Sequence, residues 1–326
     1  MSAEAAVEVR SLVVNYHGVP ALRGVSLQVQ AGEVLALLGP SGSGKSSLLH
    51  AVAGFLAPSS GEIRLGGTLV AGNGRALPPE QRALAMVFQN YALWPHLSAV
   101  DTVAYPARRR GVGREQARRE AMAILEQLRI AHLADRKPAE LSGGEQQRVG
   151  LGRALARRAS VYLFDEPTAH LDSHVRGVFL AELLARQRAS GAAAIYATHD
   201  AEEALGLADR VALLREGRLV QLGSPQQVYD EPVDLFAARL TGLASVIDAP
   251  DGSGQQLLVR PGWARLGGAG EAKLRAVWFR GPHSDYLVEC SLGELLIREP
   301  GAPQHQVGDT LGWHLVRSWT LPTAER

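Results

Sequence analysis

The chain has 326 residues, enough for two domains of about 150 residues each, and its 46% hydrophobic content is sufficient to bury real cores, which excludes a disordered chain. Glycine (35) and proline (17) together make up about 16% of residues, below the roughly 25–30% of low-complexity sequence, so collagen-like and linker readings fall away. With 34 basic and 33 acidic residues the formal charge is +1, so no global field draws the chain to nucleic acid or an anionic bilayer, and any anion binding must be local.

The single cysteine, Cys290, cannot close an intrachain disulfide, and the start Met1-Ser2-Ala3-Glu4 has no secretory leader pattern. A reducing, cytoplasmic setting is therefore expected. The longest apolar runs, such as Ala83 to Phe88 and Ala192 to Ala197, are far shorter than the roughly 20 residues of a membrane helix.

In chain order, the predicted strands are Val7 to Val14, Val34 to Leu38, Val161 to Phe164, Ala194 to Ala197 and Val211 to Leu214. Strands alternating with longer helical patterns predict an α/β fold with a mostly parallel sheet core. Arg114 to Leu128 carries apolar residues at Ala117, Ala121, Ile124, Leu125 and Leu128, the spacing of one helix face, and marks a helical insert. Two glycines, Gly150 and Gly152, fall within a later helix and imply close packing there. The turn-rich stretch from Asp248 to Gly254 separates a tail of short strands, Gln256 to Arg260, Leu274 to Arg280, Tyr286 to Ser291, Glu294 to Arg298 and Thr310 to Arg317, for which a small β-barrel is the natural packing.

The motifs follow the same order. Gly39-Pro40-Ser41-Gly42-Ser43-Gly44-Lys45-Ser46-Ser47 joins a predicted strand to a helix and fits the phosphate-loop pattern. Its glycines let backbone N–H groups face phosphate oxygens, Lys45 is placed for the β- and γ-phosphates, and Ser46 for Mg²⁺. Leu141-Ser142-Gly143-Gly144-Glu145 opens another helix; a capping box explains Ser142 and Glu145 but not two successive glycines, which suit a second anion site. Val161 to Phe164 ends in Asp165 and Glu166, the first placed for a nucleotide-bound Mg²⁺ and the second for accepting a proton from attacking water.

The stretch Leu141 to Arg148, with the phosphate loop before it and Asp165-Glu166 after it, resembles the nucleotide-binding subunit of ATP-binding cassette transporters, and the resemblance extends to about Gly242. It implies further roles: Tyr16 stacking on adenine, Gln89 touching Mg²⁺ and attacking water, Asp172 in a loop Ala169-His170-Leu171-Asp172 that meets the partner cassette, and His199 contacting the γ-phosphate. It also implies a homodimer in which Ser142, Gly143 and Gly144 of one protomer close on ATP held by the other's phosphate loop. The loop usually reads Ser-Ala-Leu-Asp, so Ala169 lacks a hydroxyl expected across the dimer interface. The resemblance sets an ATPase domain at residues 1–243, with a helical subdomain at about 90–157, and a TOBE-like barrel at 244–326.

The tail, with Gln226 to Pro232, Phe236 and Arg260-Pro261-Gly262-Trp263, resembles importers of sugars, polyamines, sulfate and ferric iron. The loop Val70 to Glu80 is reminiscent of the ferric-iron members. The partners implied are two membrane permease subunits and, indirectly, an extracytoplasmic solute-binding protein, with the chain at the cytoplasmic face of the membrane. A soluble cassette ATPase of DNA repair or translation usually carries a long coiled-coil insert or two cassettes, and a phosphate-loop kinase or GTPase leaves Ser142 to Gly144 and His199 unexplained. Nucleic-acid binding by the tail fits poorly, because residues 245–326 hold eight Lys or Arg against nine Asp or Glu.

Overall fold

The structure is a computed structural model that describes residues 4–16, 18–88, 92–157, 159–168, 176, 180, 185, 187–249 and 255–322. The chain divides into two compact units, Met1–Leu222 and Gly223–Arg326.

The first unit is built on two sheets. One is a six-stranded sheet ordered β11-β10-β3-β9-β8-β7, with β3 (Val34–Leu38), β7 (Leu84–Val87), β8 (Val161–Asp165), β9 (Ala193–Thr198), β10 (Arg210–Arg215) and β11 (Arg218–Gly223). The pairs from β10 through β7 are parallel. Strands β3, β8 and β9 are buried at every position, as expected of strands covered on both faces. Their side chains alternate between two cores: Tyr162, Phe164, Ala194 and Tyr196 face one, Val161, Leu163, Ala193 and Ile195 the other.

The predicted strand at Val7 lies outside this parallel sheet. It is β1 (Val7–Tyr16), which pairs antiparallel with β2 (Val19–Val29) and β4 (Ser60–Leu65) in a five-stranded sheet continued by β5 (Thr68–Gly72) and β6 (Arg75–Ala76). Its alternating burial, with Val7, Val9, Leu12 and Val14 inside, marks a half-covered antiparallel strand and not a doubly buried one. Helix α1 (Lys45–Ala53) packs on the core shared by the two sheets.

The insert is a helical layer of α2 (Ala99–Arg109), α3 (Arg114–Gln127) and α4 (Gly143–Leu155) on the other face of the parallel sheet. Gly152 explains the glycine-bearing helix: a Cβ there would lie 3.0 Å from Val103 Cγ2 and 3.2 Å from Leu128 Cδ1, so α4 sits so close to its neighbours that a larger residue would push those side chains aside. Among the described residues no helix is long and apolar enough to cross a membrane.

One buried cation organises α1. Arg82 is 1% exposed, and its guanidinium donates to the carbonyls of Leu77 (2.9 Å), Ala51 (2.7 Å), Val52 (2.7 Å) and Val70 (3.4 Å). Ala51 and Val52 belong to the last turn of α1, where the exposed lone pairs of the final carbonyls and the negative end of the helix dipole favour a cation.

The second unit contains α5 (Ala201–Leu207) nowhere in it, since that helix belongs to the first; it begins with α6 (Pro225–Asp230) and α7 (Leu235–Thr241). These two helices pack with the chain that follows them. Arg260, fully buried, is the reason, donating to the carbonyls of Tyr229, Ala238, Gly242 and Leu243 and to Thr241 Oγ1. The rest is antiparallel: β12 (Ser245–Asp248), β13 (Gln256–Val259) and β18 (Trp319–Thr320) form one sheet; β14 (Ala264–Phe279), β15 (His283–Cys290), β16 (Gly293–Pro300) and β17 (Thr310–Leu315) form the other. Asp248 N donates to Leu292 O and Leu296 N to Ser245 Oγ, joining the sheets around a core that includes Leu274, Tyr286, Val288, Ile297 and Trp313. The five predicted tail strands are present, and β14 starts ten residues earlier than expected because Gly267, Gly268 and Gly270 lie inside it.

Arg82→Met should destabilise the chain by about 2–3 kcal/mol in urea unfolding, since it removes the side-chain donor from the buried Val52 and part-buried Leu77 carbonyls. A second outcome concerns Asp285, 2% exposed and bound by Arg298 at 2.7 and 3.1 Å, which holds its carboxyl below the ordinary value of 3.8. A carboxyl with a lowered folded pKa contributes stability above its unfolded pKa and loses it as pH falls through the folded one. In thermal melts, the gap between the parent and Asp285→Asn should therefore be widest near pH 7 and close as pH drops below about 4.

Candidate active site

The parallel register brings three strand ends to one edge. Leu38 pairs with Thr198, and Asp165 with Ala197, so the loop after β3, the acids ending β8 and the segment after β9 emerge side by side. This carboxyl edge is where open α/β sheets bind ligands.

From β3 the chain enters Gly39 to Ser46. Gly39 is required by space, since a Cβ would meet Ser43 Oγ at 2.5 Å and Leu214 O at 2.6 Å. Gly42 is required by conformation, φ +78°, with nothing within 4 Å of a Cβ: the loop is open on that side. Gly44 (φ +104°) forms the N-cap of α1, whose first turn has no acidic residue and no side-chain cap. Its backbone N–H groups are thus not taken by a side chain. Ser43 Oγ is buried without a hydrogen-bond partner. An anionic group fits such a cradle.

Lys45, 4% exposed, donates to the carbonyls of Gly39 (2.8 Å) and Pro40 (3.1 Å) and lies 3.6 Å from Glu166 Oε1. Burial pulls its pKa down, and the Glu166 charge opposes that. Ser46 Oγ donates to Asp165 Oδ1 at 2.9 Å. Burial raises the Asp165 carboxyl; the Ser46 bond and the His50 ring, 3.6 Å from Oδ2, oppose it. A hydroxyl and one carboxylate fit Mg²⁺, which prefers oxygen and takes few protein ligands when phosphates supply the others. Among the described residues no cluster of three or more His, Cys, Asp or Glu forms a self-sufficient metal site.

Glu166 occupies a left-handed backbone position, φ +45°, uncommon for a non-glycine residue, with its N–H bound to Ala197 O at 3.0 Å. Its second carboxylate oxygen is 3.3 Å from His199 Nδ1. Lys45, Glu166 and His199 therefore form a continuous row across three strand ends.

Ser142 stands at the N-cap of α4 in a capping box with Glu145, whose carboxylate accepts Ser142 N–H at 2.7 Å and is held below its usual pKa by that bond. The local reading of those two residues is thus satisfied. The space in front of Gly143 is open, with nothing within 4 Å of a Cβ. Among the described residues no hydrogen bond or ion pair links this helix start to the phosphate loop. Tyr16 is exposed at the end of β1, in a hairpin whose continuation at Ala21 and Leu22 abuts Gly44. Gln89, Ala169, His170 and Asp172 lie outside the described residues. His50, Thr168 and Glu203 were missed from sequence. Glu203 had one signal, its position four residues after His199, but an acid in a first helical turn reads as a cap.

The fold and site define a phosphate-loop nucleotide-binding cassette. A family model described as ABC transporter matches residues 22–169. The chain is 46% identical over 226 residues to the trehalose/maltose import ATP-binding protein MalK of Thermococcus litoralis, covering 69% of this chain and 61% of that protein. It is 40% identical over 271 residues to the sn-glycerol-3-phosphate import ATP-binding protein UgpC of Rhizobium meliloti, 81% of this chain and 76% of the relative. Among solved structures, a bacterial ABC transporter cassette described as dimeric matches with a TM-score of 0.62 at 28% identity, over 67% of this chain and 98% of its own. The chain belongs to the ABC transporter family, and it spans about three fifths of the length of MalK.

Proposed function

We propose that this chain is the ATP-hydrolysing subunit of an ABC importer, working as a homodimer beneath two membrane permease subunits that receive solute from an extracytoplasmic binding protein. The observation that carries the reading is the convergence of Ser46 with Asp165, and of Lys45 with Glu166 and His199, on the open loop Gly39 to Ser46. The import direction is supported by relatives that are named as import ATP-binding proteins. In this reading the cassette spans residues 1–243, with a helical subdomain at about 90–157 that meets the permeases, and 244–326 is the TOBE-like barrel.

The residues divide the work. Gly39, Pro40, Ser41, Gly42, Ser43, Gly44 and Ser47 wrap the phosphates with backbone and hydroxyl donors, while Tyr16 stacks on the adenine. Lys45 exchanges its carbonyl partners for the β- and γ-phosphates. Ser46 and Asp165, with Gln89, would hold Mg²⁺, which when bound would supply charge neutralisation for the transferred phosphoryl group. Glu166, oriented by Lys45 and His199, accepts a proton from the attacking water, and His199 fixes the γ-phosphate. Water and ATP become ADP and phosphate. Ser142, Gly143, Gly144 and Asp172 complete the site on the partner protomer, a helix start supplying charge stabilisation from the opposite side. Support for that arrangement is the open space before Gly143 and the dimeric cassette among the similar structures.

Glu166→Gln should keep ATP binding, lose about a hundredfold or more of steady-state hydrolysis, and run as a dimer by light scattering only with Mg-ATP; normal turnover would remove Glu166 as the base. Shared sites have a second signature. A heterodimer with Lys45→Ala in one protomer and Ser142→Arg in the other keeps one intact composite site and should trap ATP there, whereas both changes in the same protomer should leave none; equal trapping in the two arrangements would rule out the sandwich.

A further inference from the structure

The helix that follows His199 carries a buried acid that the proposed chemistry does not use. Glu203 is 6% exposed. It does not cap α5, because Asp200 does: Asp200 Oδ1 accepts the N–H groups of Glu202 (2.9 Å) and Glu203 (3.3 Å). Its carboxylate instead accepts three hydroxyls, Thr168 Oγ1 at 2.6 Å on Oε1 and Tyr196 OH at 3.0 Å and Thr198 Oγ1 at 2.8 Å on Oε2. Each hydroxyl has one proton to give, and an ionised carboxylate is the group that takes all three. Burial raises the Tyr196 phenol far above its ordinary value, with the Glu203 charge adding to it, so the phenol stays a donor. Arg176 lies against the same cluster, 2.9 Å from Asp200 Oδ2 and 3.5 Å from Glu203 Oε1.

The donors come from places that matter. Thr168 is two residues beyond Glu166, and Thr198 is the residue before His199. Glu166, His199, Glu203 and both threonines border one small cavity of about 40 Å³, large enough for a water molecule. A buried carboxylate is costly to desolvate, and filling space alone is served better by an apolar side chain. We infer that Glu203 is a positioning residue: its carboxylate ties the segment after β8 to the segment after β9, and so sets Glu166 against His199. The inference rests on the proposed ATPase reading for its kinetic consequence, but the tie itself is geometric.

Two measurements test it on the full chain. The first is ATP hydrolysis per nucleotide-binding site, with sites counted by ATP trapping, for the parent, Glu203→Gln, His199→Ala and the double variant. Glutamine offers two N–H donors where hydroxyls already donate, so Glu203→Gln should lower kcat about tenfold to a hundredfold with KM for ATP unchanged, and the double variant should be no worse than His199→Ala. Parental kcat in Glu203→Gln, or losses that multiply in the double variant, would overturn the inference. The second is hydrogen exchange of the nucleotide-free chain, in which both 166–168 and 196–203 should exchange faster in Glu203→Gln; acceleration of one segment alone would equally overturn it. If the glutamine variant does not fold, Thr168→Val and Thr198→Val each cut one end of the tie and are read in the same way. A parent that binds but does not hydrolyse ATP refutes the ATPase reading instead, and the exchange result still decides the tie.

Discussion

The arrangement depends on an ammonium group held out of water among carbonyl oxygens. Lys45 is almost completely buried, and its partners are two loop carbonyls and a carboxylate at 3.6 Å. Neutral carbonyls do not replace the hydration a buried charge gives up, which is why its pKa is drawn down. A polyphosphate arriving at the loop supplies the missing negative charge. Asp165 is under the mirror-image constraint, a carboxylate raised by burial beside a hydroxyl, and a cation relieves it. The two buried charges thus have opposite needs, Lys45 for negative charge and Asp165 for positive charge.

That site is supported from the far end of α1. The helix turns N–H groups toward the loop and carbonyls toward its other end, and Arg82 donates to those of Ala51 and Val52. A buried arginine bonded mainly to carbonyls recurs in the second unit, where Arg260 gathers the ends of α6 and α7 and also donates to Thr241 Oγ1. In both places five fixed donors do what water does at an exposed helix end. The cost is a desolvated charge, acceptable because the guanidinium is weakly hydrated and the helix dipole points the favourable way.

Much of this was legible in the sequence, and the reasons are local. The doubly buried strands β3, β8 and β9 announce themselves as unbroken apolar runs, and the phosphate loop as a fixed glycine spacing between a strand and a helix. Val7 to Val14 reads as a strand, but its sheet is not legible, because burial on one face or two is decided by what packs against it. Strands β2, β4 and β5 were not read at all, their alternation being broken by Gly24, Gly61 and Gly72. Nothing in the sequence of α6 and α7 reveals that Arg260 reaches back to them. The tie through Glu203 joins residues 35 positions apart, a distance over which spacing carries no signal.

The pairing of Leu38 with Thr198 and of Asp165 with Ala197 makes the parallel sheet a ruler against which the reactive groups are aligned. One residue added within β8 or β9 slides an acid or a histidine along the edge by about 3.3 Å and turns the buried faces inside out. Length change is tolerated elsewhere, in the helical layer and the turns that leave the edge. The edge thus fixes the strand lengths and leaves the length of the outer elements unconstrained by the chemistry.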